Sequence, residues 1–243
     1  MRCLQVNKLL LKLKSAPEIN QRFDACIQED SKTTEVITFI NPYSYLQLRD
    51  KEQIIDGVDA IYTDAISSAK YLSRLLKRPI PRVSFDQSSF AKDFLQRANE
   101  EQFAVYFLGA KEHELDKAIG NFKTHYKNIN IVGYHDGYFS DDEQMIAQIL
   151  AAQPDFVVCG MGTPRQDEFA VKLKQRAKGG IKQIYTCGGF LHQSAESLIY
   201  YPGWIDKLHL RWLYRVFENS YVIKRLLTSY PRFFYLVRKD FKS

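Results

Sequence analysis

Residues 103–139 read FAVYFLGAKEHELDKAIGNFKTHYKNINIVGYHDGYF. Phe103–Leu108 is a short apolar run that stops at Gly109, the length of one buried strand. Glu112–Tyr126 follows with Leu115, Ile119, Phe122 and Tyr126 at helical spacing, and Ile129–Tyr134 is a second apolar run. Strand, helix and strand of these lengths make a βαβ unit, the crossover that parallel strands require. Towards the C-terminus the alternation continues with helix Asp141–Ala152, strand Asp155–Cys159, helix Pro164–Lys178 and strand Gln183–Cys187. Towards the N-terminus, Val36–Ile40 and Val58–Tyr62 read as strands, each followed by a helix, Tyr43–Arg49 and Ala65–Lys77, before Pro79 and Pro81 break the chain. After Gly188-Gly189 the alternation stops, and Trp204–Phe241 reads as helical with an interruption at Pro231. The fold expected is α/β and Rossmann-like: a mostly parallel sheet with helices on both faces, plus a helical C-terminal appendage. The division expected is a body over residues 1–198 and an appendage over 199–243.

Charge is distributed unevenly along this frame. The net charge is +6. Residues 204–243 hold nine Lys/Arg and three acids, which leaves 25 of each sign elsewhere, so the whole excess sits in the last 40 residues. Both tryptophans, Trp204 and Trp212, lie there among many Tyr and Phe. A basic, aromatic tail on a neutral body points to a polyanionic or membrane-surface partner; a solvated basic helix packed on the body accounts for the charge alone. No apolar run approaches the length of about 18 residues needed to span a bilayer. The N-terminal apolar stretch is broken by Asn7, Lys8 and Lys12, unlike a secretory signal. Four scattered cysteines, Cys3, Cys26, Cys159 and Cys187, fit a reducing cytoplasm.

In a sheet of this kind functional residues gather at the carboxyl ends of the strands. Those ends carry Asn41-Pro42, Thr63-Asp64, Gly109-Ala110, His135-Asp136-Gly137, Gly160-Met161-Gly162-Thr163-Pro164-Arg165-Gln166 and Gly188-Gly189-Phe190. The glycines of the fifth stretch allow close backbone approach to a ligand, Pro164 suits a first helical turn, and free N–H groups there bind phosphate oxygens. Arg165 stands where a dinucleotide fingerprint has its third glycine, and tight strand–helix turns use glycine for structural reasons too. Asp64 is the candidate general base, while a helix N-cap for Ala65 onward accounts for the same aspartate. Asp141 and Asp142 read as the start of a helix, and neither a D-x-D nor an H-x-x-x-H pattern occurs, so no metal is expected.

The series TFINPYSY (38–45), TDA (63–65), FLGAK (107–111), NINIVGYHDGYF (128–139), CGMGTPRQDEF (159–169), CGGF (187–190) and WLYRVFENSYVIKR (212–225) resembles the WecG/TagA/CpsF glycosyltransferases across residues 34–226. The resemblance implies an inverting, metal-independent transfer from a UDP-sugar to an undecaprenyl-diphosphate-linked sugar in cell-surface polysaccharide synthesis, with no cofactor. Carried over by position, Asp64 would be the catalytic base, and Thr38 and Asn41 would hold donor sugar or acceptor beside it. Gly109, Asp136, Gly137, Tyr138, Gly160, Gly162, Pro164, Gln166, Gly188 and Gly189 would surround the nucleotide-sugar. Arg211, Trp212, Arg215, Lys224 and Arg225 of the appendage would meet the diphosphate and the membrane. Three departures stand out: the family's D-G is Asp64-Ala65, its Q-E is Gln166-Asp167, and Thr38 and Asn41 are three apart instead of two.

The resemblance also implies a place on the inner face of the plasma membrane, in the cytoplasm, and self-association through the body. Two rivals are open at this point. One is a nucleic-acid-binding protein, against which the neutral body and the lack of a nucleic-acid motif speak. The other is a catalytically inactive relative that binds lipid-linked intermediates or partner enzymes.

Overall fold

The computed structural model of the chain describes residues 7–28, 33–197 and 220–242. Among them six strands form one parallel sheet in the order β2-β1-β6-β5-β3-β4. The strands are β1 (Glu35–Ile40), β2 (Ala60–Thr63), β3 (Ala104–Gly109), β4 (Asn130–His135), β5 (Phe156–Gly160) and β6 (Gln183–Thr186). In chain order the helices are α1 (Lys8–Leu11), α2 (Ala16–Gln28), α3 (Pro42–Leu48), α4 (Glu52–Gly57), α5 (Ile66–Leu76), α6 (Phe90–Glu100), α7 (Glu112–His125), α8 (Asp142–Ala151), α9 (Arg165–Ala177), α10 (Phe190–Glu196) and α11 (Ser220–Lys242).

Successive strand residues point to opposite faces, so each strand feeds two cores. Val36, Ile40, Ile61, Leu108, Val157 and Ile184 pack with α1, α3, α4, α5, α8, α9 and α11 on one face. Ile37, Phe39, Tyr62, Phe107, Val158 and Tyr185 pack with α2, α6, α7 and α10 on the other. Cover on both faces is why the strands read as unbroken apolar runs. The second core is aromatic: Phe94 lies 5.6 Å from Phe23, 5.5 Å from Phe85, 5.4 Å from Phe156 and 5.3 Å from Tyr185 between ring centroids. Such pairs contribute about 0.5–1.5 kcal/mol each beyond the area they bury.

At several points in the sheet the helices that follow neighbouring strands leave on opposite faces. That after β1 joins the first core through Tyr45 and Leu48, and that after β6 joins the second through Phe190 and Leu191. The same divergence separates β5, followed by α9, from β3, followed by α7. Crevices therefore open at the carboxyl edge of the sheet, where the chain parts to either side.

The expected alternation from Phe103 to Cys187 is present, with ends shifted by a residue or so. Short helices α1, α4 and α10, and the longer α2 and α6, were not expected. Val58, read as the start of a strand, instead ends α4, its N–H bonded to the Ile54 carbonyl at 3.1 Å. Pro231 does not interrupt the C-terminal helix, which runs through it from Ser220 to Lys242. Pro231 lies on the exposed side, where the carbonyl deprived of a donor can turn to water, while Phe233 and Val237 on the other side are buried in the first core. No described helix is long and apolar enough to cross a membrane.

Candidate functional site

Every strand-end residue singled out above lies along the carboxyl edge, and the tips of β2 and β1 are tied together. The Asp64 N–H donates to the Ile40 carbonyl at 2.7 Å, which brings Asp64 beside Asn41. Asp64 does not cap α5: the cap position is Ala65, with no side-chain bond. The Asp64 side chain meets Arg82 instead. Arg82 donates from Nε to the Asp64 main-chain carbonyl at 2.6 Å and from its terminal nitrogen to Oδ1 at 3.2 Å. The same guanidinium holds Ser84 Oγ at 2.5 Å and the Asp86 carboxylate. Asp64 Oδ2 accepts no hydrogen bond among the described residues, and the side chain is 32% exposed. One oxygen is thus fixed and the other is open to a substrate hydroxyl, the arrangement a general base needs.

Asn41 caps α3, its Oδ1 accepting from the Tyr43 N–H at 3.0 Å and the Ser44 N–H at 3.1 Å. Ser44 Oγ accepts from the Asn41 N–H at 2.7 Å, which completes a capping box. The Asn41 amide nitrogen has no partner among the described residues and remains available to a ligand oxygen. Thr38 stands apart from this pair. It lies within β1, fully buried, and its hydroxyl donates to Asp167 Oδ1 at 2.6 Å and sits 2.8 Å from Thr186 Oγ1. Its hydroxyl serves α9 and β6, so it reaches a substrate only through them.

The glycine turns fall into two kinds. A Cβ on Gly109 would lie 2.3 Å from the Gly160 carbonyl oxygen, and one on Gly160 would lie 2.8 Å from Cys187 Sγ, so these two let neighbouring turns touch. Gly137 nests against Met161 and Gly109 in the same way. Gly109 is crowded despite its positive φ, whereas Gly162 and Gly188, also at positive φ, +78° and +54°, face open space. Both are also tied to one side chain. Gln166 Oε1 accepts from the Gly162 N–H and the Gly188 N–H, each at 3.1 Å, and Gln166 is only 2% exposed. Gln166 is a clamp beneath two turns, and Gly189 follows in the second of them as the cap of α10.

Pro164 is the cap residue of α9, preceded by a cis Thr163–Pro164 bond, one position earlier than the first-turn place expected. Since Gly162 gives its N–H to Gln166 and Pro164 has none, the N–H groups of Met161, Thr163 and Arg165 are the ones without a partner among the described residues. Three unpaired donors at a helix start suit phosphate oxygens. Arg165 itself is engaged by Asp142, one contact being 3.0 Å, and lies over the Phe139 ring at 5.0 Å. Its hydrogen bonds hold the Asp142 carboxyl at about 2, below the usual carboxylate range. Asp141 caps α8, accepting from the Glu143 and Gln144 N–H groups at 2.9 and 3.0 Å. Asp141 thus caps a helix and Asp142 is held by Arg165, and among the described residues no three His, Cys, Asp or Glu side chains come together as ligands.

Asp136 bends its own turn, Oδ1 accepting from the Tyr138 N–H at 2.7 Å, and Tyr138 stands 75% exposed at the rim. A polar cavity of about 350 Å³ lies beside Arg82, lined also by Asn20, Gln87, Ser88 and Lys92. Another of about 450 Å³, lined by Arg22, Cys26, Glu35 and Lys182, opens at the amino end of the strands, away from every residue above.

Arg211, Trp212 and Arg215 lie outside the described residues. Lys224 and Arg225 fall on α11, in a stretch whose side chains are not described. Further along, α11 seats on the two helices that begin at Asn41 and after Asp64. Phe233 meets Tyr45 of α3 edge-on at 5.1 Å, and Phe234 meets Tyr71 of α5 at 4.9 Å. Arg82 was not singled out from sequence: it follows two prolines in a stretch with no periodicity. Asp167 stood out only as a departure from the family's Q-E pair, with no role attached to its carboxyl.

A profile of the Glycosyl transferase WecG/TagA/CpsF family matches residues 4–243. Over 223 residues the chain is 33% identical to the UDP-Gal:alpha-D-GlcNAc-diphosphoundecaprenol beta-1,4-galactosyltransferase of Shigella boydii, covering 91% of both chains. It is 28% identical over 217 residues to the N-acetylglucosaminyldiphosphoundecaprenol N-acetyl-beta-D-mannosaminyltransferase of Bacillus subtilis, covering 88% of this chain and 83% of the relative. A Staphylococcus aureus enzyme of the same name is 26% identical over 209 residues, covering 84% of this chain and 77% of the relative.

Proposed function

The chain belongs to the WecG/TagA/CpsF glycosyl transferase family, and we propose that it transfers a sugar from a UDP-sugar to an undecaprenyl-diphosphate-linked saccharide at a membrane surface. The observation that carries this reading is the pairing of two half-sites on one sheet edge. Asp64, braced by Arg82 with Oδ2 open, stands at the β2 tip beside Asn41. The clamped turns with unpaired N–H groups stand at the β5 and β6 tips. Two strand spacings, about 10 Å, separate β2 from β6. A nucleotide diphosphate over the β5 and β6 turns would direct its sugar towards Asp64 and Asn41.

In this reading the acceptor hydroxyl attacks the anomeric carbon from the face opposite the diphosphate, so configuration inverts, and Asp64 Oδ2 takes the hydroxyl proton. The C–O bond to the diphosphate breaks with its electron pair staying on UDP. The N–H groups of Met161, Thr163 and Arg165, with Arg211, Arg215 or Arg225 of the appendage, meet that charge without a metal. Tyr138, exposed at the rim, would stack on the base in this reading.

The location in this reading is cytoplasmic and peripheral to the membrane; the acceptor's lipid and α11 support it. Its outer side exposes Leu227 and Tyr235 beside Arg232 and Arg238, a mixture suited to the headgroup layer. The appendage is read as residues 199–243.

The test is transfer from a panel of UDP-sugars to GlcNAc-diphosphoundecaprenol. UDP-galactose comes first because the Shigella boydii relative is named for it. Transfer lost in Asp64→Asn supports the reading and the base together. Transfer that survives the substitution moves the base elsewhere. Lack of transfer with every donor favours the inactive, intermediate-binding alternative.

A further inference from the structure

The first turn of α9 carries two neighbouring buried side chains. Gln166 reaches outward to the two glycine turns at 3.1 Å each. Asp167 reaches into the sheet: Oδ1 accepts from Thr38 of β1, and Thr38 in turn touches Thr186 of β6. Asp167 is fully buried, and its Oδ2 has no hydrogen-bond partner among the described residues. An unpartnered buried polar atom costs about 1–3 kcal/mol, and an apolar residue of similar size would remove that cost. Stability alone therefore does not account for a carboxyl here.

What the carboxyl does is join three elements. It pins the first turn of α9 to β1 and, through Thr38, to β6. Gln166 is the next residue back on that turn. Its single oxygen can meet both the Gly162 and Gly188 N–H groups only while the turn keeps its distance from both, since hydrogen bonds weaken steeply as they lengthen. We propose that Asp167 is a positioning residue: anchored by Thr38 and Thr186, it sets where Gln166 stands and so fixes the Gly162 and Gly188 turns relative to each other. Its consequence for substrate rests on the proposed function, in which those turns face the nucleotide diphosphate. Its consequence for the turns does not.

The direct readout is hydrogen exchange at the Gly162 and Gly188 amides of the full chain, resolved by NMR. Asp167→Ala is expected to speed both by about tenfold or more while α7 amides keep their protection. Asp167→Asn, which retains an oxygen for Thr38, is expected to stay within about threefold of the parent. Should Asp167→Ala not fold, Thr38→Val removes the donor and keeps the carboxyl, and the same two amides should quicken. Unchanged protection of both amides in the folded variants overturns the proposal.

UDP binding by calorimetry on the same samples separates the two readings. If the parent binds UDP, Asp167→Ala and Gln166→Ala should each weaken it about tenfold, and the double variant should be no weaker than Gln166→Ala alone. Additive losses would show that Asp167 does not act through Gln166, against the proposal. A parent that binds no UDP, with the two amides still loosened in Asp167→Ala, sinks the nucleotide reading and upholds the positioning role.

Discussion

Arg82 holds Asp64 by two points, its main-chain carbonyl at 2.6 Å and its Oδ1 at 3.2 Å, and leaves Oδ2 without a partner among the described residues. For the base proposed above, this grip fixes where the free oxygen points. Arg82→Lys keeps the charge but loses the planar fork that spans both contacts together with Ser84 and Asp86. The lysine variant is expected to lower kcat about tenfold or more and to leave KM for the UDP-sugar within about threefold. Asp64→Asn is expected to lose about 10²–10⁴-fold in kcat while still binding UDP. Steady-state kinetics beside UDP calorimetry check both, and an Asp64→Asn variant with parental kcat would remove Asp64 from the chemistry.

Asp240 fastens the C-terminal helix to the body. Its carboxylate accepts from the Tyr45 hydroxyl at 2.6 Å and from Arg49 Nε at 2.9 Å, and its main-chain carbonyl accepts from the Asn7 N–H at 3.1 Å. Arg49 hydrogen bonds hold this carboxyl below its ordinary value against the opposing effect of burial. Removing one partner of a largely buried pair strands the other, at a cost of about 3 kcal/mol. Asp240→Ala is expected to lower the urea midpoint accordingly, and Arg49→Ala to do much the same, with the double variant little worse than either. Independent, additive losses would mean that the pair is not one unit.

The βαβ alternation was legible because both faces of this sheet are covered, so each strand is an apolar run bounded by glycine or a polar turn. The glycine turns and Asp64 followed from the strand-end rule alone. Local reading gave no sign of the partners. Gln166 and Gly188 are 22 residues apart, Thr38 and Asp167 are 129 apart, and Tyr45 and Asp240 are 195 apart. Such pairings exist only once the sheet order is known. Thr38 illustrates the limit: placed one residue further along β1 it would point to the other face, and the pleat sends its hydroxyl to α9 and β6 instead.

The packing of α11 changes how membrane attachment should be probed. Deleting the chain beyond residue 198 would also remove Phe233 and Val237 from the first core, so lost activity would not separate membrane contact from instability. Substitutions on the outer side avoid this. Leu227→Ala and Tyr235→Ala, at exposed positions, are expected to leave the urea midpoint unchanged and to weaken binding to anionic vesicles. Arg232→Gln with Arg238→Gln should remove about 1 kcal/mol each at low salt and less at high salt. Flotation with vesicles containing phosphatidylglycerol measures this, and parental binding by all of these variants would exclude the described part of α11 as the contact.

Asp167 gives the clearest pH signature. Burial pushes its carboxyl up to about 6 from 3.8, against the lowering by the Thr38 hydroxyl bonded to Oδ1 and by the nearby Thr163 hydroxyl. The Thr163 hydroxyl makes no hydrogen bond of ordinary geometry to it. The charged group on its own helix that faces it is Glu168; Cys159 faces it from β5, and burial raises that thiol far out of the acidic range. At low pH the Asp167 carboxyl is neutral folded and unfolded, and it makes no difference to stability. As pH rises past the unfolded value, the unfolded chain ionises first, so stability falls until pH passes about 6 and then levels. The full loss is on the order of 3 kcal/mol. Asp167→Asn does not titrate, and every other group is common to both proteins. The parent's Tm is therefore expected to drop relative to the Asn variant between about pH 4 and pH 6, with a constant gap above. Parallel curves across that range would mean that the carboxyl ionises as readily folded as unfolded, and that its buried Oδ2 has found a partner.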